Sequence, residues 1–197
     1  MDWRTFHAVN EFVWRHHWLG TAAKEMEQYG VPLFALAAFA LWLLDRPGAR
    51  RHWKLASACG LASGALALLL NRVLAAFWDR ERPYEAHAGV HVFGGRSRDP
   101  SFPSDHASAA FGIAFGVFLF DRLAGAFLLA GATVIGVGRV LVGAHYPLDV
   151  VAGALIGVGC ALVVGRLARP VIEALTRLVE RVTDPLLAPF WRFAQRR

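Results

Sequence analysis

The sequence has little charge for its length. Charged residues make up 18% of the 197 positions, whereas hydrophobic residues make up 56%, and the mean hydropathy is +0.40. An ordinary soluble domain contains about 25% charged residues. The composition therefore argues against a water-soluble enzyme and favours a single-domain membrane protein.

Cysteine is nearly absent and the basic excess is small. Cys59 and Cys160 lie inside apolar runs without CxxC spacing, so we interpret them as small buried hydrophobic residues. The net charge of +6 comes from basic residues scattered between apolar runs, not from a stripe interleaved with aromatic residues. We expect no nucleic-acid partner. The N-terminus lacks the pattern of a cleavable signal peptide, so the membrane segments are expected to belong to the mature protein.

Long apolar runs dominate the rest of the chain. A hydrocarbon core of about 30 Å requires about 20 helical residues, and five runs approach that length. Their frequent glycine and alanine residues suit close packing of helices in lipid. The predicted fold class is all-α, a polytopic membrane bundle of about five transmembrane helices. The runs are Tyr29 to Leu44, Trp53 to Trp78, Ser104 to Phe120, Leu123 to Gly143 and Leu148 to Leu167.

Both ends of the chain are amphipathic and too polar to span a bilayer. Residues 1–28 are rich in tryptophan and histidine, and residues 169–197 begin with a clear 3.6-residue apolar period. We interpret both as interfacial helices in contact with membrane lipids, flanking a catalytic bundle at 29–168. Packing of both segments against the bundle is an equally good alternative.

Basic residues predict the orientation of the bundle. They cluster between the first two runs and after the fifth, and both places are expected to be cytoplasmic. The loop contains Arg46, Arg50, Arg51 and Lys54, and the tail contains Arg166, Arg169, Arg177, Arg181, Arg192, Arg196 and Arg197.

Three polar clusters lie at run ends on the opposite face. They are Asp79 to Tyr84, Ser101 to His106 and Gly138 to Asp149. The predicted threading places all three at the same depth. Ionisable groups at membrane depth are costly, so their convergence indicates a functional site.

The residue types in these clusters suit an oxyanion. Arg82 and Arg139 supply guanidinium groups, Ser104 supplies a hydroxyl, and a helix starting near Ser104 supplies backbone N–H groups. Taken singly, an Arg-Pro pair can end a helix, and Ser104 or Asp105 can cap one. The common sidedness of the clusters favours a phosphate site.

Two histidines and a carboxylate add catalytic groups. His145 and Asp149 are four residues apart and can meet at a helix start, where the carboxylate would fix the imidazole tautomer. His106 supplies a second proton-transfer group. Since the clusters lack the ligands of a magnesium or zinc site, we expect a metal-free mechanism without a cofactor. His87 and His91 are interpreted as loop residues.

The motifs resemble those of a known family. Arg82-Pro83, Pro103-Ser104-Asp105-His106 and Arg139-x5-His145-x3-Asp149 are similar to the three signatures of the type-2 phosphatidic acid phosphatase superfamily. The sequence around them resembles the undecaprenyl-pyrophosphate phosphatases of the bacitracin-resistance type.

This resemblance implies an activity and a set of roles. His145 would attack the terminal phosphorus to form a phosphohistidine, Asp149 would orient it, and His106 would protonate the departing oxygen and later activate water. Arg82, Arg139, Ser104 and the backbone at Asp105 would bind the phosphate oxygens. The implied substrate is undecaprenyl diphosphate, cleaved on the extracytoplasmic face of the bacterial cytoplasmic membrane to recycle the cell-wall lipid carrier.

The chain departs from the superfamily at a position where a lysine is usual. Ala75 stands seven residues before Arg82, so another cation should neutralise the second phosphate. Arg98 is the favoured candidate, because it lies on the loop leading into Ser104 and is nearer to that residue in sequence than Arg96. Arg72 would lie too deep if its helix continued towards Arg82. Arg80 and Arg96 are the other candidates.

Alternative functions remain open at this stage. A phosphatase for phosphatidylglycerophosphate or another lipid monophosphate would use the same residues with a different lipid groove. A non-catalytic carrier of polyprenyl lipids would need the arginines but not both His106 and His145. The sequence does not determine the oligomeric state.

Overall fold

The structure, a computed structural model, describes residues 2–45 and 52–194. All regular secondary structure in these ranges is helical, and loops connect the helices. No strand occurs within those ranges. The helices are α1 (Asp2–Arg15), α2 (His17–Leu44), α3 (Trp53–Ala75), α4 (Pro83–Ala86), α5 (Asp105–Phe118), α6 (Arg122–Leu141), α7 (Pro147–Leu162) and α8 (Arg169–Ala194). A π-helical turn at Val163–Leu167 connects α7 to α8.

The bundle is built around α5. This helix packs against α3, α6 and α7, while α2 covers the side formed by α3 and α6. Among the described residues, four helices are long and apolar enough to cross a membrane: α2, α3, α6, and α7 together with its π-helical extension. With 14 residues, α5 is only about 21 Å long. The predicted all-α membrane bundle is confirmed, with the third predicted span, Ser104 to Phe120, present as a short central helix.

Glycines allow the helices around α5 to approach closely. A Cβ atom at Gly153 of α7 would lie 2.7 Å from the Ser104 carbonyl oxygen, and one at Gly116 would lie 2.7 Å from the Cα of Gly60 in α3. Such distances are shorter than van der Waals contact. The backbones of α3, α5 and α7 therefore touch directly, as expected where lipid offers no hydrophobic driving force.

The N-terminal region differs from the boundaries expected from hydropathy. The first helix, α1, ends at Arg15, and α2 is continuous from His17 instead of beginning near Tyr29. The polar first half of α2 is held by small residues that pack on loops: Ala23 contacts Val142 and Ala144, and Gly20 lies against Phe93. Hydropathy averaged over these positions hides that packing, so the spanning helix is longer than predicted.

The C-terminal helix α8 is amphipathic, as its period predicts, and is tied to the bundle. Lys54 of α3 donates to Asp184 at 2.6 Å and lies 3.6 Å from Glu180. The indole Nε1 of Trp191 donates to the Leu43 carbonyl at 2.8 Å. Other basic residues used to predict the orientation, Arg46, Arg50, Arg51, Arg196 and Arg197, lie outside the described residues.

Candidate active site

The three polar clusters meet around one cavity of about 300 Å³. It lies at the end of α3 opposite Lys54, between the C-terminal turn of α3, the first turn of α5 and the loop before α5. Of the residues expected in the site, five line it, namely Arg82, Asp105, His106, Arg139 and His145. Ser104 and Asp149 lie behind this wall, where the Ser104 N–H donates to the Asp149 carbonyl at 3.1 Å.

His145 occupies the turn between α6 and α7 and is almost fully buried. Its Nδ1 lies 2.7 Å from the backbone carbonyl oxygen of Ser101. Because a carbonyl can only accept, this contact requires the proton on Nδ1 and leaves Nε2 with a free electron pair. Nε2 lies 3.4 Å from Nη1 of Arg82, which lines the cavity. The geometry fits a nucleophile aimed at an anion.

The electrostatics around His145 favour its neutral form. Burial, together with the positive charges of Arg139 and Arg82, holds the pKa of His145 well below its usual range. The imidazole is therefore unprotonated at neutral pH, the state in which Nε2 can attack phosphorus.

Asp149 sits beside His145 without a direct hydrogen bond. Its Oδ2 is 3.9 Å from His145 Nδ1, so the expectation that Asp149 itself fixes the imidazole tautomer is wrong in this geometry. The Ser101 carbonyl performs that task. Asp149 is fully buried and accepts from the Ser101 hydroxyl at 2.6 Å and from the Tyr146 N–H at 3.0 Å. It places a negative charge next to the imidazole.

Arg80 balances the charge of Asp149. Its guanidinium donates to Asp149 Oδ1 at 2.5 Å and to Asp2 of α1 at 2.7 Å, and it lies 4.1 Å from the centre of the Tyr146 ring. Asp2 also accepts from the Leu148 N–H at 3.1 Å. The N-terminal helix is thus tied to the start of α7, a connection between residues too distant in sequence for any local motif to indicate.

His106 lies in the first turn of α5 and faces Glu27 of α2. Its Nε2 lies 3.1 Å from the Glu27 carbonyl oxygen, which leaves Nδ1 as the nitrogen not engaged by the backbone. The Glu27 carboxylate forms an ion pair with Arg139 at 2.5 Å. Glu27 was not predicted as a site residue from the sequence. The signal that could have indicated it is an acidic residue just before an apolar run.

The arginines and Ser104 present unsatisfied donors. Arg82 donates from Nε to the Asp99 carbonyl at 2.8 Å, while Nε of Arg139 and the hydroxyl of Ser104 are buried with no protein partner. Ser104 stands at the N-cap of α5, yet its side chain caps nothing. Buried polar atoms almost always have partners, so orphaned donors beside a helix N-terminus fit an oxyanion ligand.

Asp105 is turned towards α3 by a neighbouring amide. Asn71 donates to Asp105 Oδ1 at 2.7 Å and to the Ser108 hydroxyl at 3.0 Å. The Asp105 carboxylate is therefore held by α3, and the residue contributes its backbone to the first turn of α5, as expected from the sequence.

The cation candidates divide into two groups. Arg98 is exposed and does not line the cavity, whereas Arg72 and Arg96 do.

His87 stacks on Trp3 with ring centres 3.6 Å apart, and His91 stacks on Trp14 at 4.0 Å. These two histidines attach the outer loop to α1 and lie outside the cavity.

Metal ligands do not cluster in the described part of the chain. No group of three or more histidine, cysteine, aspartate or glutamate side chains there could hold a metal ion. The metal-free mechanism stays a prediction that a chelation experiment must test.

Comparison with known proteins identifies the class. Residues 51–172 match the PAP2 superfamily, and this stretch includes all three polar clusters. The chain belongs to the PAP2 superfamily and is a multi-pass membrane phosphatase.

Curated relatives narrow the comparison. The chain is 27% identical to the undecaprenyl-diphosphatase BcrC of Bacillus subtilis over 94% of its own length and 95% of that protein. It is 30% identical to the bacitracin transport permease protein BcrC of Bacillus licheniformis, covering 81% and 76% of the two chains. It is also 44% identical to a lipid A 1-phosphatase of Rhizobium johnstonii over 48% of this chain and 39% of that protein.

Solved structures share the fold. The crystal structure of LpxE from Aquifex aeolicus aligns with a TM-score of 0.60 and 24% identity, covering 81% of this chain and 92% of that one. The phosphatidylglycerolphosphate phosphatase of Bacillus subtilis aligns with the same TM-score and 19% identity, covering 86% and 85%. At these identities the similarity concerns the fold alone.

Proposed function

We propose that this phosphatase hydrolyses undecaprenyl diphosphate to undecaprenyl phosphate and inorganic phosphate. The observation that supports it best is the neutral His145 imidazole, oriented by the Ser101 carbonyl, with Nε2 beside Arg82 in a cavity of orphaned donors. The near-full-length similarity to an undecaprenyl-diphosphatase favours this lipid over others.

The first step transfers the terminal phosphoryl group to His145. The Nε2 electron pair attacks the terminal phosphorus, and the bond from that phosphorus to the bridging oxygen breaks. In the complex the negative charge of the diphosphate stabilises the protonated form of His106, and this imidazolium gives a proton to the departing oxygen, so that undecaprenyl phosphate leaves and His106 becomes neutral. The phosphohistidine becomes cationic, and its Nδ1–H keeps the Ser101 carbonyl while Asp149 lies 3.9 Å away. That negative charge stabilises the intermediate.

The second step hydrolyses the phosphohistidine. His106, now neutral, takes a proton from a water molecule whose oxygen attacks phosphorus. The phosphorus–nitrogen bond breaks, inorganic phosphate leaves, and His145 is neutral again. Arg82, Arg139, the Ser104 hydroxyl and the first N–H groups of α5 stabilise the negative charge on the phosphoryl oxygens in both steps.

The proposed location is the bacterial cytoplasmic membrane with the cavity on the extracytoplasmic side. The basic residues of α8 and its connection to the start of α3 support this orientation, since both lie at the end opposite the cavity. Release of undecaprenyl phosphate there would recycle the lipid carrier of the cell wall. Expression of the protein in a bacterium should then raise resistance to bacitracin.

Phosphate release from defined lipids tests the substrate. Purified enzyme is incubated with undecaprenyl diphosphate, undecaprenyl phosphate, phosphatidylglycerophosphate and phosphatidic acid, each with EDTA and each with vanadate. We expect the highest kcat/KM with the diphosphate, no effect of EDTA, and inhibition by vanadate, a mimic of pentacoordinate phosphorus. Preference for a monophosphate lipid would remove the assigned substrate, and loss of activity in EDTA that Mg²⁺ restores would remove the metal-free mechanism.

Trapping of the intermediate tests the mechanism. With terminally ³²P-labelled farnesyl diphosphate, the His106→Ala variant should retain label. The leaving group of this substrate is a phosphate, so the first step needs little help from an acid, whereas hydrolysis of the phosphohistidine lacks its base. The label should be acid-labile and alkali-stable, and absent from His145→Ala. Label in neither the wild type nor His106→Ala would contradict a covalent intermediate.

Cysteine labelling tests the orientation. Gly95 is exposed with open space around it, unlike Gly94, where a side chain would overlap Glu27. Gly95→Cys and Arg177→Cys are made after Cys59 and Cys160 are replaced by alanine. In intact cells an impermeant thiol reagent should label position 95 and not position 177, and the reverse pattern would place the cavity in the cytoplasm. Gly48, in the basic loop, lies outside the described residues.

A further inference from the structure

Arg72 lines the active-site cavity without an acidic partner. It lies in the last turn of α3, beside Asn71, and shares the wall with Ala75. Within 2–45 and 52–194 no carboxylate forms an ion pair with it. Arg80 and Arg139, by contrast, are each neutralised by carboxylates.

The depth of Arg72 follows from where α3 ends. A helix that continued to Arg82 would place Arg72 about 15 Å below it. Instead α3 ends at Ala75, and the chain returns to the cavity through the connection to Arg82 and α4. Arg72 therefore lies within one turn of the helix end, at the level of the cavity.

The surroundings of Arg72 leave space for an anion. Ala75 lies three residues later on the same side of α3 and contributes only a methyl group. Gly95 lines the cavity as well, and no atom lies within 4 Å of where its Cβ would be. Asn71 fixes this end of α3 to α5 through its bonds to Asp105 and Ser108. The position of Arg72 relative to the first turn of α5 is thereby set.

The charges already described serve one phosphoryl group. Arg82 lies at His145, and Arg139 lies between Glu27 and the two histidines. A diphosphate adds a second, internal phosphate with further negative charge, which needs a cation of its own near a low-dielectric boundary. Arg96, 5.3 Å from the centre of the Tyr84 ring, lines the cavity from the loop before α5.

We propose that Arg72 binds the internal phosphate of a lipid diphosphate, with Arg96 as a second contact from the loop. The inference rests on the proposed diphosphatase function and assigns its preference for diphosphates to these side chains. Guanidinium groups suit the task because they donate two parallel hydrogen bonds to phosphate oxygens and stay charged at any working pH.

Matched lipid substrates test the assignment. Steady-state kinetics of Arg72→Ala, Arg72→Lys and wild type are compared with farnesyl diphosphate and farnesyl monophosphate, which differ only in the internal phosphate. Arg72→Ala should raise KM for the diphosphate about tenfold or more and leave KM for the monophosphate within about twofold. Arg72→Lys should recover part of the loss. Arg4→Ala, an exposed arginine of α1 outside the cavity, should match wild type on both lipids.

A competition assay provides a readout that does not depend on turnover of the diphosphate. Methylenediphosphonate and inorganic phosphate are compared as inhibitors of monophosphate hydrolysis. The ratio of their inhibition constants should favour the diphosphonate in wild type and fall at least about fivefold in Arg72→Ala. Equal losses for both inhibitors, or for both lipids, would show a general effect on the fold and overturn the proposal.

Two further outcomes separate this inference from the proposed function. If wild type cleaves the diphosphate well and only Arg98→Ala raises its KM selectively, the internal phosphate binds at the loop, and the role of Arg72 is wrong while the function stands. If wild type cleaves only the monophosphate and does not bind the diphosphonate preferentially, both are wrong.

Discussion

Charged groups are buried at both ends of α3, with different results. We call the N-terminal end, at Lys54, the inner end and the C-terminal end, at the active-site cavity, the outer end. At the inner end Lys54 is buried and paired with Asp184 and Glu180, and it lies 5.3 Å from the centre of the Trp191 ring. At the outer end Ser104 and Arg139 are equally buried, yet the Ser104 hydroxyl and Arg139 Nε have no protein partner. Buried charge alone therefore does not mark a site in this molecule. Buried hydroxyls without a partner do not mark it either, since those of Thr176 and Thr183 occur at the inner end. The outer end differs in that an unpaired donor there, Arg139 Nε, belongs to a charged side chain.

The cavities beside the two ends differ in the same way. The inner one, about 420 Å³ between α2, α3 and α8, is lined by apolar side chains together with Ser57, Thr176 and Thr183. The outer one, about 300 Å³, is lined largely by arginine, histidine, carboxylate and amide side chains. Substitutions at the outer end should thus change catalysis, and those at the inner end should change only stability.

The largest expected effect is loss of the nucleophile. His145→Ala should lower kcat more than about 10³-fold, because no other side chain can form the covalent intermediate. Phosphate release from a lipid diphosphate measures it. Thermal unfolding should change little, since the substitution leaves no charge unpaired. A residual rate within tenfold of wild type would mean that His145 is not the nucleophile.

Removal of Arg80, on the side of the cavity, should lower both stability and activity. Arg80→Gln leaves the buried Asp149 carboxylate without its cation, which should destabilise the fold by roughly 3 kcal/mol and lower kcat. The measurements are denaturant unfolding and phosphate release.

A second substitution separates charge from shape at Arg80. Asp149→Asn added to Arg80→Gln should recover most of the lost stability but not the activity, because the double variant has no negative charge beside His145. Full recovery of activity in the double variant would contradict an electrostatic role for Asp149.

The lowered pKa of His145 predicts where activity falls in acid. Since the free enzyme holds this imidazole neutral, kcat/KM should not fall as pH decreases through 6.5, the ordinary histidine value, and should decline only at lower pH. The profile is measured with farnesyl diphosphate after separate titration of the substrate. His87→Ala should give the same profile. An acid limb centred at or above pH 6.5 would show that protonation of His145 is not suppressed.

Removal of Lys54, at the inner end, should lower stability without changing catalysis. Lys54→Met removes the charge and shortens the unbranched side chain by only one atom. The two carboxylates it leaves are partly exposed, so we expect a loss of about 1–2 kcal/mol in unfolding free energy. The values of kcat and KM in folded protein should match wild type. A tenfold fall in kcat with intact fold would show coupling between the two ends.

His87 should give the smallest effect. Its ring stacks on Trp3 outside the cavity, so His87→Ala should remove about 1 kcal/mol of packing and change kcat less than about threefold. A loss comparable to that of His145→Ala would mean that the catalytic histidine is misassigned.

The sequence was sufficient for the fold class and for most side chains around the cavity. Apolar runs predict helices of known length, and a membrane reduces their arrangement to two faces, so Arg82, His106 and His145 can be placed together without any contact being known. Few soluble folds allow so direct a step from one dimension to three.

Other features depend on contacts that side-chain patterns do not record. The Ser101 carbonyl that orients His145 is a backbone atom, which any residue type could supply. Arg80 reaches Asp2, 78 residues away, and Glu27 reaches Arg139 from another helix. The depth of Arg72 could be placed only once the end of α3, at Ala75, was known. Helix ends are hard to predict from sequence where no proline or glycine stops the helix.

Gly153, where α7 touches the first turn of α5, has a consequence for how binding energy is used. Its missing side chain brings the Ser104 carbonyl within contact of α7, the helix that also carries Asp149 beside His145. The donors for the phosphate and the group that attacks it are consequently parts of one rigid block. Such a site is organised before the lipid arrives, so substrate binding need not drive a closure, and the free energy of headgroup recognition remains available to distinguish one lipid from another.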